Sequence, residues 1–439
     1  MGTIILSIAF IVEIAFAAYC IITKSNQEKV RSYIRFGALV AFVLFALVSV
    51  IQWSFRWYGL ALLLLVWAGL GTWTLIRKKA EKEYRARSIV GRAILGILLV
   101  FILLIPALVF PQYQSPKLTG TYPVTTANYT YIDESQIDPL AGTGEPVKVN
   151  VEFWYPEDSS GPYPLVVFSH GILGTRNSNT STYKELASNG YVVCAIDHPY
   201  NSLFAVDDSG HRAIINNAYL REYMDVSKGK YDEETSTRLE QKWMSWRIAD
   251  INFVLDTILA KANEAGSSTV YQMIDLGKIG LMGHSLGGES SAQVARERND
   301  IRAVVNLDAD LAGEYIDYVN GKWTLNDKLY PVPILNIFSD TLESLMDEVP
   351  DPNTIAVKHI IATAPQAYEV HLAGTNHMSF TDLPLISPLL VNMINASVPK
   401  AGGQAEDPLA TIEKMNNLVL KFFNVYLKGE GNFTASGTN

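Results

Sequence analysis

The sequence predicts two structures in one chain: an all-α unit of four transmembrane helices, then an α/β domain on a mainly parallel sheet. Three observations carry this. Residues 1–110 contain four apolar stretches, each near the ~20 residues a helix needs to cross the hydrocarbon. From residue 146 onward, short β-branched runs alternate with helix-period stretches, the pattern of strands joined by crossover helices. One apolar run leads straight into Gly283-His284-Ser285-Leu286-Gly287 and then into good helix formers, the strand–turn–helix order that presents a serine hydroxyl.

The bulk properties agree. The chain has 439 residues, 49% of them hydrophobic, and a formal net charge of -9; its mean hydropathy is +0.12. The length suits two or three domains. The hydropathy points to membrane segments, and the negative charge argues against a nucleic-acid partner. Cys20 lies in an apolar run and Cys194 in an expected strand, so no disulfide between them is expected and the compartment stays open.

The membrane-spanning stretches are read at 4–22, 36–52, 58–76 and 89–110. Ala15-Phe16-Ala17 is a weak cleavage match with no Lys or Arg before it, so the first stretch reads as a retained helix. Basic residues set the orientation. The first loop carries Lys24, Lys29, Arg31 and Arg35; the third carries Arg77, Lys78, Lys79, Lys82, Arg85 and Arg87; the second has only Arg56. The two basic loops are therefore expected in the cytoplasm. That makes the protein integral to the cell membrane, with everything after residue 111 outside. Glu13 falls inside the first span, where an ionisable group is a functional hypothesis. Arg92 is expected to snorkel to the surface.

The domain organisation follows: 1–110 for the helices, 111–145 as a polar linker, 146–439 for the α/β domain. Strands are expected at 147–155, 164–169, 190–196, 278–284, 303–307, 332–338 and 368–372. Helices are expected at 182–188, around Ile248–Leu259 spacing, and at 407–428. Polar inserts near 207–246 and 341–358 belong over the strand ends, where Trp243 and Trp246 would line an acyl pocket or simply pack under a cap.

A serine nucleophile needs an imidazole to take its proton and a carboxylate to hold that imidazole. In this strand–turn–helix context the chain order is Ser, acid, His. Among the histidines after Ser285, His359 sits in an apolar run and His371 inside a strand, whereas His377 lies in the loop after that strand. A loop at a strand's carboxyl end suits a general base. Asp308 and Asp340 each end a strand and are alternative acids; Asp310 is a third candidate, read first as a solvated turn residue. Backbone N–H groups of Leu286, after the nucleophile, and of Ile172, in Ser169-His170-Gly171-Ile172, would hold an oxyanion. His170 reads as a backbone brace, His198 as structural or pocket-lining, and His284 as the variable residue of the turn.

Several of these segments together resemble the platelet-activating-factor acetylhydrolase family: Phe153-Trp154-Tyr155-Pro156, Phe168-Ser169-His170-Gly171, Trp246-Arg247 ahead of Asp250, Phe253, Val254, Leu255 and Asp256, the Gly283–Gly288 turn, Leu307-Asp308-Ala309, and His377 followed by Phe380 and Asp382. The similarity runs from about residue 119 to 429. It implies an α/β-hydrolase fold and a Ser-Asp-His esterase acting on lipid or short-chain acyl esters without metal or cofactor. It favours Asp308, 23 residues after Ser285, over Asp340, and supports Ile172 and Leu286 as oxyanion donors. The four helices have no counterpart in that family's secreted enzymes. Rival expectations are a membrane-anchored binding or sensing protein, and a peptidase or acyltransferase using the same three side chains.

Overall fold

The structure, a computed structural model, describes residues 1–77, 83–157, 160–349, 355–395, 406–434 and 437–438. They fall into two compact units: Met1–Gln114 with Leu385–Ile394, and Ser115–Pro384 with Asn395–Asn439.

The first unit holds α1 (Gly2–Ile22), α2 (Glu28–Leu47), α3 (Tyr58–Ile76) and α4 (Ala86–Val109). All four are long and apolar enough to cross a membrane. Helix α1 packs on α4 and α2 on α3. A Cβ at Gly96 would sit 3.2 Å from Glu13 Oε1, so the glycine lets α4 approach the one acidic side chain of α1. Helix α2 begins at Glu28 rather than at 36, which puts Lys29, Arg31 and Arg35 on a helix instead of in a loop. The extra turns are supported by ring faces: Arg31 lies 5.0 Å over Phe16 and Arg35 4.9 Å over Trp67, so charged heads are carried beside apolar stems. Lys78, Lys79 and Lys82 lie outside the described residues.

The second unit is a nine-stranded sheet. Its strands are β1 (Val124–Ile137), β2 (Pro146–Pro156), β3 (Tyr163–Ser169), β4 (Val192–Asp197), then β7 (Ile274–His284), β8 (Ile301–Leu307), β11 (Ile334–Phe338), β12 (Ala367–His371) and β13 (Gly437–Thr438). Between β4 and β7 lies the hairpin β5 (Phe204–Val206)–β6 (Arg212–Ile214); after β8 comes β9 (Tyr315–Val319)–β10 (Lys322–Leu325). The order is β1-β2-β4-β3-β7-β8-β11-β12-β13. Strand β2 runs antiparallel to both β1 and β4, and every later pairing is parallel.

Helices α5 (Thr180–Ser188), α6 (Asn217–Ser227), α7 (Glu233–Ala262), α8 (Thr269–Gln272), α9 (Leu286–Glu297), α10 (Asp340–Asp347), α11 (Ala356–Thr363), α12 (Leu383–Ile386), α13 (Pro388–Asn395) and α14 (Pro408–Phe423) complete the chain. The strand period of two sorts neighbours to opposite faces. Leu165, Val167 and Leu281 pack with Ile251, Leu255 and Val294 of α7 and α9; Val166, Phe168 and Met282 pack with Leu186, Val419 and Phe422 of α5 and α14. Burial on both faces is why the central strands are apolar throughout.

Three sequence expectations change. The polar stretch 111–145, expected as a linker, contains β1, paired with β2 through Val124–Pro156 and onward. As an edge strand with one open face it needs few apolar residues. The insert expected at 207–246 is partly the amino-terminal half of α7, a single 30-residue helix capped by Asp232. The final helix ends at Phe423, followed by a π-helical turn, Asn424–Lys428.

Candidate active site

The polar cluster of interest lies at the carboxyl ends of the parallel strands. Strand β7 delivers Ser285, whose φ of 54° and ψ of -133° are strained for a residue with a side chain. The turn closes only because its neighbours are glycines. A Cβ at Gly283 would overlap the Gly287 carbonyl, and one at Gly287 would overlap the Ser169 carbonyl. Helix α9 then starts at Leu286, so its free N–H groups and dipole face the serine.

Strand β8 ends at Leu307, and Asp308 follows with a φ of 57°. Its carboxylate is buried and accepts from Ser339 N at 2.6 Å, Ser339 Oγ at 2.9 Å and His377 Nδ1 at 2.8 Å. Three donors hold its orientation. His377 opens a short 3₁₀ turn (His377–Phe380) fixed by a capping box between Asn376 and Ser379. The His377 side chain stays 38% exposed while Asp308 is 1% exposed. Asp340 is committed elsewhere: it meets His371 Nε2 at 2.7 Å and accepts from Gly374 N at 3.0 Å.

His284 has a task the sequence did not suggest. Its Nε2 bonds the His377 backbone carbonyl at 2.9 Å, and the two rings lie with centroids 4.6 Å apart, tilted by 37°. Burial, then the neighbouring His377, push its pKa down to about 3, so it stays neutral and Nε2 must donate. The elbow strand thereby holds the loop that carries His377.

The loop after β3 runs over the serine. A Cβ at Gly171 would lie 3.1 Å from Ser285 Cβ and 2.8 Å from His284 Nδ1. Ile172 and Leu286 share one apolar cluster with Tyr219, Trp243 and Met244 of α6 and α7, with Trp246 packed against it. Trp243 is buried and gives its Nε1–H to Glu222 at 2.8 Å. The first insert therefore packs directly on the residues flanking Ser285. His170 is fully buried and braces the loop, as its sequence position implied, bonding the Gly171 carbonyl at 2.7 Å and Ser202 Oγ at 2.7 Å. His198 sits between Ser169 Oγ (2.9 Å) and Asp250 Oδ2 (2.7 Å).

Behind the elbow helix lies a carboxylate cluster. Oxygens of Glu240, Glu289 and Asp310 all lie within 4.8 Å of one another. Burial, with Asp310 adding repulsion, raises the Glu240 pKa to about 8, and burial drives Glu289 well above the ordinary range. Asp310, expected as a solvated turn residue, is thus one of three clustered carboxyl groups.

Strand order, elbow and loop placement define the class: an α/β-hydrolase. A solved ferulic acid esterase from Streptomyces cinnamoneus has the same fold, with TM-score 0.54 and 22% identity over 72% of this chain and 94% of that one. The chain belongs to the family described as platelet-activating factor acetylhydrolase, isoform II, which matches residues 139–437. Curated relatives include platelet-activating factor acetylhydrolases of Cavia porcellus (24% identical, covering 65% of this chain and 63% of that protein) and Canis lupus familiaris (27%, 53% and 51%). The cutinase est2 of Thermobifida alba is 26% identical over 44% of this chain and 46% of its own. The chain thus spans less than two thirds of the length of these curated relatives.

Proposed function

We propose that this chain is a membrane-anchored serine ester hydrolase acting on lipid or short-chain acyl esters. The observation that carries the reading is the 2.8 Å bond from His377 Nδ1 to the buried Asp308 carboxylate, beside a serine held at positive φ. His377 Nε2 takes the proton of Ser285 Oγ as it attacks the ester carbonyl. Asp308 holds the tautomer and balances the imidazolium. The N–H groups of Ile172 and Leu286 receive the oxyanion, the alcohol leaves with the proton from His377, and water, activated by the same imidazole, releases the acid. Asp308 is preferred to Asp340 because the latter faces His371.

The names of the relatives, acetylhydrolase and cutinase, support an ester substrate. The apolar surroundings of Ile172 and Leu286 suit an acyl chain. Labelling by a fluorophosphonate should map to Ser285, and Ser285→Ala should abolish hydrolysis of p-nitrophenyl acetate; full activity in that variant would refute the assignment. The anchor is the four-helix unit, with the hydrolase domain on the extracytoplasmic face. Protease added to right-side-out vesicles should digest residues beyond 111, whereas digestion only in inverted vesicles would reverse the orientation.

A further inference from the structure

Arg247 of α7 is a charged side chain with 0% exposure. Among the described residues it forms no ion pair. Burying a guanidinium without one is costly, so its donors must be satisfied by something worth holding. Nε and Nη2 meet Asn201 Oδ1 at 2.9 and 2.7 Å. Nη1 meets the carbonyl of His170, and Nη2 the carbonyl of Gly171 at 3.4 Å. The rest of the planar fork is thus aimed at consecutive peptides of the loop over Ser285.

The Gly171 carbonyl and the Ile172 N–H belong to one peptide unit. In a trans peptide they point in opposite directions. Whatever grips the carbonyl therefore decides where the N–H points. Three donors grip it: His170 Nδ1 at 2.7 Å, Gly174 N at 3.0 Å and Arg247 Nη2 at 3.4 Å. A flipped peptide would present an oxygen to Ser285 and strand buried donors, one of them on a cation. A glycine at 171 leaves such a flip sterically open, since no Cβ opposes it. The restraint has to come from hydrogen bonds.

We propose that Arg247 is a positioning residue that holds the Gly171–Ile172 peptide with its N–H toward Ser285, so that the oxyanion hole exists before substrate binds. This rests on the serine-hydrolase reading above. The guanidinium touches no reacting atom; it works by making the wrong peptide orientation expensive.

The test uses the full chain in detergent, with active sites counted by the p-nitrophenol burst. In Arg247→Met, kcat per titrated site on p-nitrophenyl acetate should fall about 10²-fold, the size of losing one oxyanion donor, with KM within about threefold. A trifluoromethyl ketone provides the second readout. Ser285 Oγ adds to its carbonyl carbon, the serine proton passes to His377, and the former carbonyl oxygen becomes an oxyanion in the hole. Its Ki should rise in parallel with the loss in kcat/KM. Arg247→Lys and Asn201→Ala are the milder variants, read the same way if Arg247→Met does not fold; each should lose about tenfold in both quantities. Unchanged kcat per site and unchanged ketone Ki in the folded variants would overturn the inference, reducing Arg247 to a packing element. If instead Ser285→Ala retains turnover, it is the hydrolase reading that falls.

Discussion

Two sets of Ser, His and Asp gather near the carboxyl ends of the strands, and only one of them is hydrogen-bonded through all three side chains. In one, His198 bridges Ser169 Oγ at 2.9 Å and Asp250 at 2.7 Å. In the other, His377 binds Asp308 at 2.8 Å beside Ser285. The first is complete and closed. Ser169 ends a regular strand, both Ser169 and His198 are buried, and burial together with Arg247 pushes the imidazole well below its ordinary pKa. An imidazole that cannot accept a proton is a poor general base, and a serine without access meets no ester. The second set has the opposite properties. Ser285 sits on a strained turn, His377 is on a loop and partly exposed, and only the carboxylate is sealed off. Backbone strain and access separate the sets where residue type does not.

Mutation separates the two sets. Ser285→Ala should lower kcat by about 10⁴–10⁶, whereas Ser169→Ala should leave kcat within a few fold and cost about 1 kcal/mol of stability from a lost buried hydrogen bond; a large activity loss in Ser169→Ala would erase the distinction. Asp308→Asn should cost about 10⁴ in kcat through the wrong imidazole tautomer. Asp340→Asn, acting on His371, should cost less than tenfold; the reverse ranking would exchange their roles. His284→Leu removes the bond to the His377 carbonyl and should lower kcat about tenfold, the equivalent of one hydrogen bond, with KM little changed in steady-state assays.

The smallest expected effect concerns the carboxylate cluster. The folded-state pKa of Glu240, about 8, lies above its ordinary 4.5. The folded chain therefore keeps a proton that the unfolded chain releases above about pH 4.5. The associated stability is fully present below that value and is lost as pH rises through 8. Thermal unfolding should show Tm falling by a few degrees between pH 5 and pH 9. In Glu289→Gln, which removes one member of the group, the slope should flatten; an unchanged slope would assign the pH dependence elsewhere.

The sequence by itself determined the elements whose signal is local. Apolar runs of about 20 residues marked the four long helices, short all-apolar β-branched runs marked the buried strands, a period of 3.6 marked the apolar face of α7, and two glycines flanking a serine marked the elbow, because each depends on residues adjacent in the chain. It did not reveal β1, whose half-exposed edge position carries little apolar pattern, nor the start of α2, whose basic first turns rely on the rings of Phe16 and Trp67 from other helices. Only the tertiary structure decided that Asp308 rather than Asp340 meets His377, that His284 holds the His377 loop, and that Arg247 grips the peptides over Ser285. Those choices turn on side chains brought within 3–4 Å from residues tens of positions apart, and a distance of that kind is set by the packing of the sheet and its helices, not by neighbours in the chain.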